Sequence, residues 1–219
     1  NRRDGTFQDV TRSAGIGEAS ANGLAVLIDD FDSDGSSDIY VANDGQPNHL
    51  WLNQRNGRFR ETAVIWGLAV DGNGRAQASM GMAIGDVSGD ALDDIVIGNL
   101  PQEGAILYRR DGGSTFVDDA QSSQISRLSL QMTGFGAALF DLELDGDLDV
   151  AIANGRVQQA ERVPDCALPP PLDRVVERAQ ILINDGHARF SDATLRAGAF
   201  TADAVIGRAL AAADFDRDG

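Results

Sequence analysis

Acidic or short polar residues recur at positions one, three, five and nine of three short stretches of this chain, and a fourth stretch begins the same way. The first is Asp30, Asp32, Asp34 and Asp38, with Gly35 at position six; the second is Asp86, Ser88, Asp90 and Asp94. The third is Asp141, Glu143, Asp145 and Asp149, with Gly146, and the fourth begins Asp214, Asp216 and Asp218 before the sequence stops at Gly219. Carboxylates and short hydroxyls at that spacing are the oxygen donors of a hard divalent cation. Calcium suits them, since it takes six to eight oxygens at about 2.3–2.6 Å in flexible geometry. One such stretch could be a plain Asp–Gly turn, but recurrence in register argues for metal.

The flanking residues say what must hold these loops. Leu24–Ile28 and Ile39–Ala42 bracket the first, Met82–Ile84 and Ile95–Ile97 the second, Ala137–Phe140 and Val150–Ala153 the third. Such short, continuously apolar runs predict strands buried on both faces. Successive loops start 56, 55 and 73 residues apart, a period that signals repeat architecture. Between loops a second pattern recurs. Leu50–Asn53 leads through Asn56-Gly57 to Phe59, Ile106–Tyr108 through Asp111-Gly112 to Phe116, and Ile181–Asn184 through Asp185-Gly186 to Phe190. Each predicts a hairpin.

One repeat is therefore four antiparallel strands in roughly 50 residues, the size of a β-propeller blade. The fold class expected is all-β, with blades at 22–66, 78–123 and 134–197. Residues 1–16 would end a preceding blade, through Asp4-Gly5-Thr6-Phe7, and 206–219 would start the next. On this reading the 219 residues are a segment of a longer propeller, and two blade faces lack a neighbour. The third repeat carries an insertion at about 155–178, with Pro164, Cys166 and Pro169-Pro170-Pro171, expected to be an extended surface excursion. Helical patterning is nearly absent, with a turn or two expected at Asp173–Ala179.

Charge excludes several functions. The net charge of −16 argues against nucleic acid or an anionic membrane surface as a partner. Half of the 34 acidic residues fall in the four loops, where packed carboxylates need counter-charge. No apolar run approaches the ~20 residues of a membrane-spanning helix. The single cysteine, Cys166, forms no disulfide within the chain. His49 and His187 are the two histidines, one opening a strand and one in a hairpin turn, and neither sits in a triad or zinc pattern. No Gly-x-Ser-x-Gly occurs, so no enzyme activity is expected. Trp51, Trp66, Tyr40 and Tyr108 are expected to pack between blades, and Asp29 and Asp93 to face solvent.

Helix–loop–helix calcium sites also read Asp-x-Asp-x-Asp-Gly, but they need flanking helices and a Glu at position twelve, where this chain has Val41, Ile97 and Ile152. The loops with their flanking strands, and the small residues Gly134-Phe135-Gly136-Ala137, instead resemble the FG-GAP repeat of integrin alpha propellers and its bacterial VCBS form. Ser79–Asp86, and Asn154-Gly155-Arg156-Val157 followed by Gln180–Asn184, resemble the ASPIC/UnbV and cartilage acidic protein group. That resemblance implies a seven-bladed ring in the full-length protein and one calcium per loop. Positions one, three, five and nine would bind it, joined by the position-seven carbonyls of Ser36, Leu92 and Asp147.

It also implies a secreted or cell-surface location, or the periplasm, where millimolar calcium fills even weak sites. The expected role is an adhesion or interaction scaffold for a protein or glycan. The alternative is a carbohydrate-binding or accessory domain of a secreted polysaccharide-active enzyme. Aromatic rings at one mouth of the propeller would favour the alternative, and a flat polar face around the 155–178 insertion would favour a protein partner. Two departures from the pattern stand out. Ala91 occupies the position of Gly35 and Gly146, where positive φ is expected, and Glu143 adds a methylene at position three. Asp38 and Asp149 are expected to affect stability only through calcium.

Overall fold

The computed structural model describes residues 1–17, 20–164 and 166–213. Three four-stranded antiparallel sheets follow one another along the chain. The first holds β1 (Gly23–Asp29), β2 (Asp38–Asn43), β3 (His49–Asn53) and β4 (Phe59–Glu61), followed by the one-turn helix α1 (Ala63–Trp66). The second holds β5 (Met82–Gly85), β6 (Asp94–Ile97), β7 (Ile106–Arg110) and β8 (Phe116–Asp118), followed by α2 (Ile125–Ser129). The third opens with β9 (Gly134–Phe140) and β10 (Asp149–Asn154), is interrupted by the insertion with β11 (Glu177–Arg178), and continues with β12 (Gln180–Asn184) and β13 (Phe190–Asp192). Helix α3 (Ala199–Ala202) and β14 (Ala204–Val205) follow, and β14 pairs with β11. These are propeller blades, with strand order matching chain order in each sheet.

The residues at 4–7 form no strand, and Phe7 is exposed. The one-turn helices that follow the blades carry no sequence signal, being four or five residues long without side-chain caps. Asp173 lies in a short 3-10 turn, Leu172–Arg174.

The apolar runs are buried because blades stack face to face. Every residue of β6 and β10 is buried. Tyr40, Tyr108, Trp51 and Trp66 are buried too; Tyr40, Tyr108 and Trp66 belong to one core that runs through successive blades with Phe31, Ile95, Leu107 and Leu182. The innermost strands touch through glycine. A Cβ on Gly81 would lie 2.0 Å from the carbonyl oxygen of Phe135, and one on Gly98 would lie 2.4 Å from that of Gly134. No other residue fits between those backbones. On β1, Leu24, Val26 and Ile28 are each more than half exposed.

The insertion leaves β10 at the end opposite the acidic loop. It folds back on itself through the Gly155–Val176 bridge, Arg156 N–H to the Val175 carbonyl at 2.9 Å, and Ala160 N–H to the Arg174 carbonyl at 3.0 Å. Arg162 Nε lies 2.7 Å from Oδ2 of the buried Asp173. Cys166 is half-buried with a free thiol.

Candidate metal centre

Strand register sets the size of each loop. Asp29 pairs with Asp38, Gly85 with Asp94 and Phe140 with Asp149, so each of the three hairpins closes around the same eight-residue span. The backbone path also repeats. Positions four and six are left-handed in all three loops: Ser33 and Gly35 at φ 56° and 86°, Gly89 and Ala91 at 76° and 65°, Leu144 and Gly146 at 58° and 98°. Each loop has one glycine for two such positions. Loop two has moved it from position six to position four, which leaves Ala91 in the strained conformation its sequence position predicts.

Position one supports this path. Asp30 accepts the N–H groups of Asp34 and Gly35 at 2.9 and 2.7 Å, and Asp141 accepts those of Asp145 and Gly146 at 3.1 and 2.9 Å. Asp86 does the same with Asp90 and Ala91, at 3.2 and 2.7 Å. At position five, Asp34, Asp90 and Asp145 each accept the N–H of position seven, from Ser36, Leu92 and Asp147.

Position nine ties the loop to the sheet. Asp38, Asp94 and Asp149 are buried, and each accepts the same two backbone N–H groups, with that of Ser88 as a third on Asp94 at 3.2 Å. One comes from position two: Phe31 at 2.9 Å, Val87 at 3.1 Å, Leu142 at 2.9 Å. The other comes from the end of the third strand: Asn53 at 2.7 Å, Arg110 at 2.9 Å, Asn184 at 2.9 Å. Burial pushes all three carboxyls above the usual carboxylate range; the neighbouring Asp32 adds to this at Asp38, Asp90 at Asp94, and Asp145 with Asp141 at Asp149. A cation beside them would reverse that penalty.

Arg110 and Asn184 also reach across blades. Arg110 Nη2 donates to the Phe31 carbonyl at 2.7 Å, and Asn184 Nδ2 donates to the Val87 carbonyl at 2.8 Å.

Loop one gathers its ligand atoms most closely. Asp30, Asp32 and Asp38 each offer one oxygen, and these oxygens lie within 4.8 Å of one another. Ligands on opposite sides of calcium would be separated by about 4.6–5.2 Å, twice the metal–oxygen distance, so the set fits that ion. Asp32 Oδ1 is buried with no hydrogen-bond partner, which leaves it available to a cation. Asp34 stands outside the group. Its Oδ2 lies 2.7 Å from Arg55 Nε in the β3–β4 turn. Among the described residues, the acids of loops two and three do not approach one another as closely as those of loop one. Asp214, Asp216 and Asp218 lie outside the described residues. Asp93 is exposed and Asp29 half-buried.

Two sets of residues escaped the sequence reading. Asn53, Arg110 and Asn184 share one repeat position, and two being asparagine at a strand end was the available signal. Arg55 gave none.

A family model described as the FG-GAP-like repeat matches residues 30–97, from loop one through β6. Residues 30–97 carry an FG-GAP-like repeat. Blade three, outside that stretch, reproduces its loop size, left-handed positions and loop hydrogen bonds. Cartilage acidic protein 1 of Xenopus tropicalis is 27% identical over 169 residues, covering 71% of this chain and 24% of that protein. The mouse protein of the same name is 36% identical over 93 residues, covering 42% of this chain and 14% of that protein. Human integrin alpha-X is 33% identical over 156 residues, covering 62% of this chain and 13% of that protein. The chain thus spans about a quarter or less of the length of these relatives.

Proposed function

We propose that this chain is part of a calcium-binding propeller that serves outside the cell as a non-enzymatic interaction scaffold, with one calcium in each acidic loop. The observation that carries the calcium reading is the convergence of Asp30, Asp32 and Asp38, with Asp32 Oδ1 buried and partnerless. The shared backbone path and clamp of loops two and three support the same role for Asp86, Ser88, Asp90 and Asp94, and for Asp141, Glu143, Asp145 and Asp149. The position-seven carbonyls of Ser36, Leu92 and Asp147 complete the proposed donor sets, and Asp214, Asp216 and Asp218 would begin a fourth.

Likeness to a cartilage protein and an integrin subunit supports an extracellular setting. No helix among the described residues is long and apolar enough to cross a membrane. Polar side chains in a recess between the insertion and Leu100–Gln102 support a hydrogen-bonding partner at this surface. Gln102, Gln131, Thr133, Arg156, Gln158 and Gln159 line the recess, and no aromatic ring does.

The test is calorimetric titration of the chelator-stripped chain with calcium and with magnesium, alongside melting in both ions. Calcium uptake with a raised melting temperature is expected. A chain that binds no calcium and melts identically with chelator would reduce the loops to turns.

A further inference from the structure

Loop one differs from its copies in having a cation of its own. Arg55 Nε lies 2.7 Å from Asp34 Oδ2, and Arg55 Nη2 donates to the Asp34 carbonyl oxygen, so both polar ends of the residue are held. Asp34 Oδ1 is taken by the Ser36 N–H at 2.9 Å. The position-five carboxylate is the one carboxylate of the expected loop-one set missing from the converging group.

The turn that carries Arg55 has the same length in every blade, closed by the N–H of Gln54, Asp111 or Asp185 on the carbonyl of Arg58, Thr115 or Arg189. Counting two residues beyond Asn53, Arg110 and Asn184 gives Arg55, Gly112 and Gly186, all left-handed, at φ 58°, 83° and 78°. Two blades use glycine, as that conformation favours, and the first uses arginine despite the steric strain of a Cβ there. The turn lies against its loop in blade three as well, where a Cβ on Gly186 would sit 2.5 Å from Asp147 Oδ2. Only in blade one does the position carry a side chain, and it is one that offers five donors and no acceptor. The guanidinium also feels Asp32 and Asp30. Among the described residues, no ion pair reaches Asp90 or Asp145.

We propose that Arg55 is a placeholder cation for loop one: it holds Asp34 while the loop lacks calcium and leaves when calcium enters. This rests on the calcium reading given above. A guanidinium within a few ångströms of a divalent ion repels it, and the Arg55 side chain, 58% exposed, can turn into water. The exchange lowers calcium affinity at loop one, and it keeps the metal-free loop folded by supplying the counter-charge its carboxylates need. Loop one therefore releases calcium at concentrations that leave the same loop without Arg55 filled.

The experiment uses the full chain, stripped with chelator and titrated with calcium by calorimetry, comparing wild type, Arg55→Gln and Arg55→Lys, each also in an Asp32→Asn background. Arg55→Gln should tighten one site about tenfold, Arg55→Lys should stay near wild type, and Asp32→Asn should abolish the gain. Stripped Arg55→Gln should melt slightly lower than stripped wild type. Calcium binding that Arg55→Gln leaves unchanged or weakens overturns the placeholder while sparing the calcium reading. A gain that survives Asp32→Asn also overturns it, because the effect then lies outside loop one. Wild type that takes up no calcium overturns both.

Discussion

Asp38 accepts the backbone N–H of Asn53, fifteen residues along the chain, at 2.7 Å while its other oxygen accepts that of Phe31 at 2.9 Å. The carboxylate is a fastening for loop and third strand before any metal is considered, and Asp94 and Asp149 repeat the arrangement.

Asp38→Ala should therefore destabilise the chain in chelator as well as in calcium. Two bonds to a charged acceptor are lost, offset by relief from burying the charge, and about 3 kcal/mol is the expected net effect in urea unfolding. The ligand pattern alone predicts an effect confined to calcium. Equal stability of wild type and variant in chelator would return Asp38 to the status of ligand only.

Asp32→Asn should behave in the opposite way. Its buried Oδ1 has no partner within the protein, so neutralising it relieves repulsion with Asp38 and leaves the metal-free stability unchanged or raised. Calorimetry should show one calcium fewer. Retention of every calcium would remove Asp32 from the ligand set.

Ala91→Gly should stabilise by up to about 1 kcal/mol, since Ala91 sits at φ 65° without need of its methyl group. Gly35→Ala should cost a similar amount, and strain is the sole reason, because its Cβ would meet nothing within 4 Å. Thermal melts of the two variants in the same buffer read both signs.

Gly81→Ala should be far more harmful. The added methyl would fall 2.0 Å from the Phe135 carbonyl, so the inner strands of blades two and three must separate. A loss of about 3 kcal/mol is expected, at the upper end of overpacking effects, and circular dichroism with urea titration would measure it. Tolerance of alanine there would show that the blades slide past each other more freely than their contact implies.

The blades were legible because three levels of pattern coincide: apolar runs, Asp–Gly loops and Asn–Gly or Asp–Gly hairpins, all in one register. Ala91 was legible for the same reason, since repeats expose an exception. What stayed hidden depends on contacts with no fixed spacing. Arg55 is an ordinary turn residue until the fold sets it over Asp34, and α1 and α2 are too short to carry a periodic signal. The double duty of Asp38 was hidden because a buried ligand and a buried clamp select the same residue type.

The bonds from Arg110 to Phe31 and from Asn184 to Val87 have a mechanical consequence. Arg110 and Asn184 each grip the previous loop with the side chain and their own loop with the backbone. Along the rim this makes an unbroken line: loop one to β7, β7 to loop two, loop two to β12, β12 to loop three. A tensile load applied to one hairpin tip is shared by its neighbours instead of peeling a single blade, so the acidic rim works as a belt around the stack.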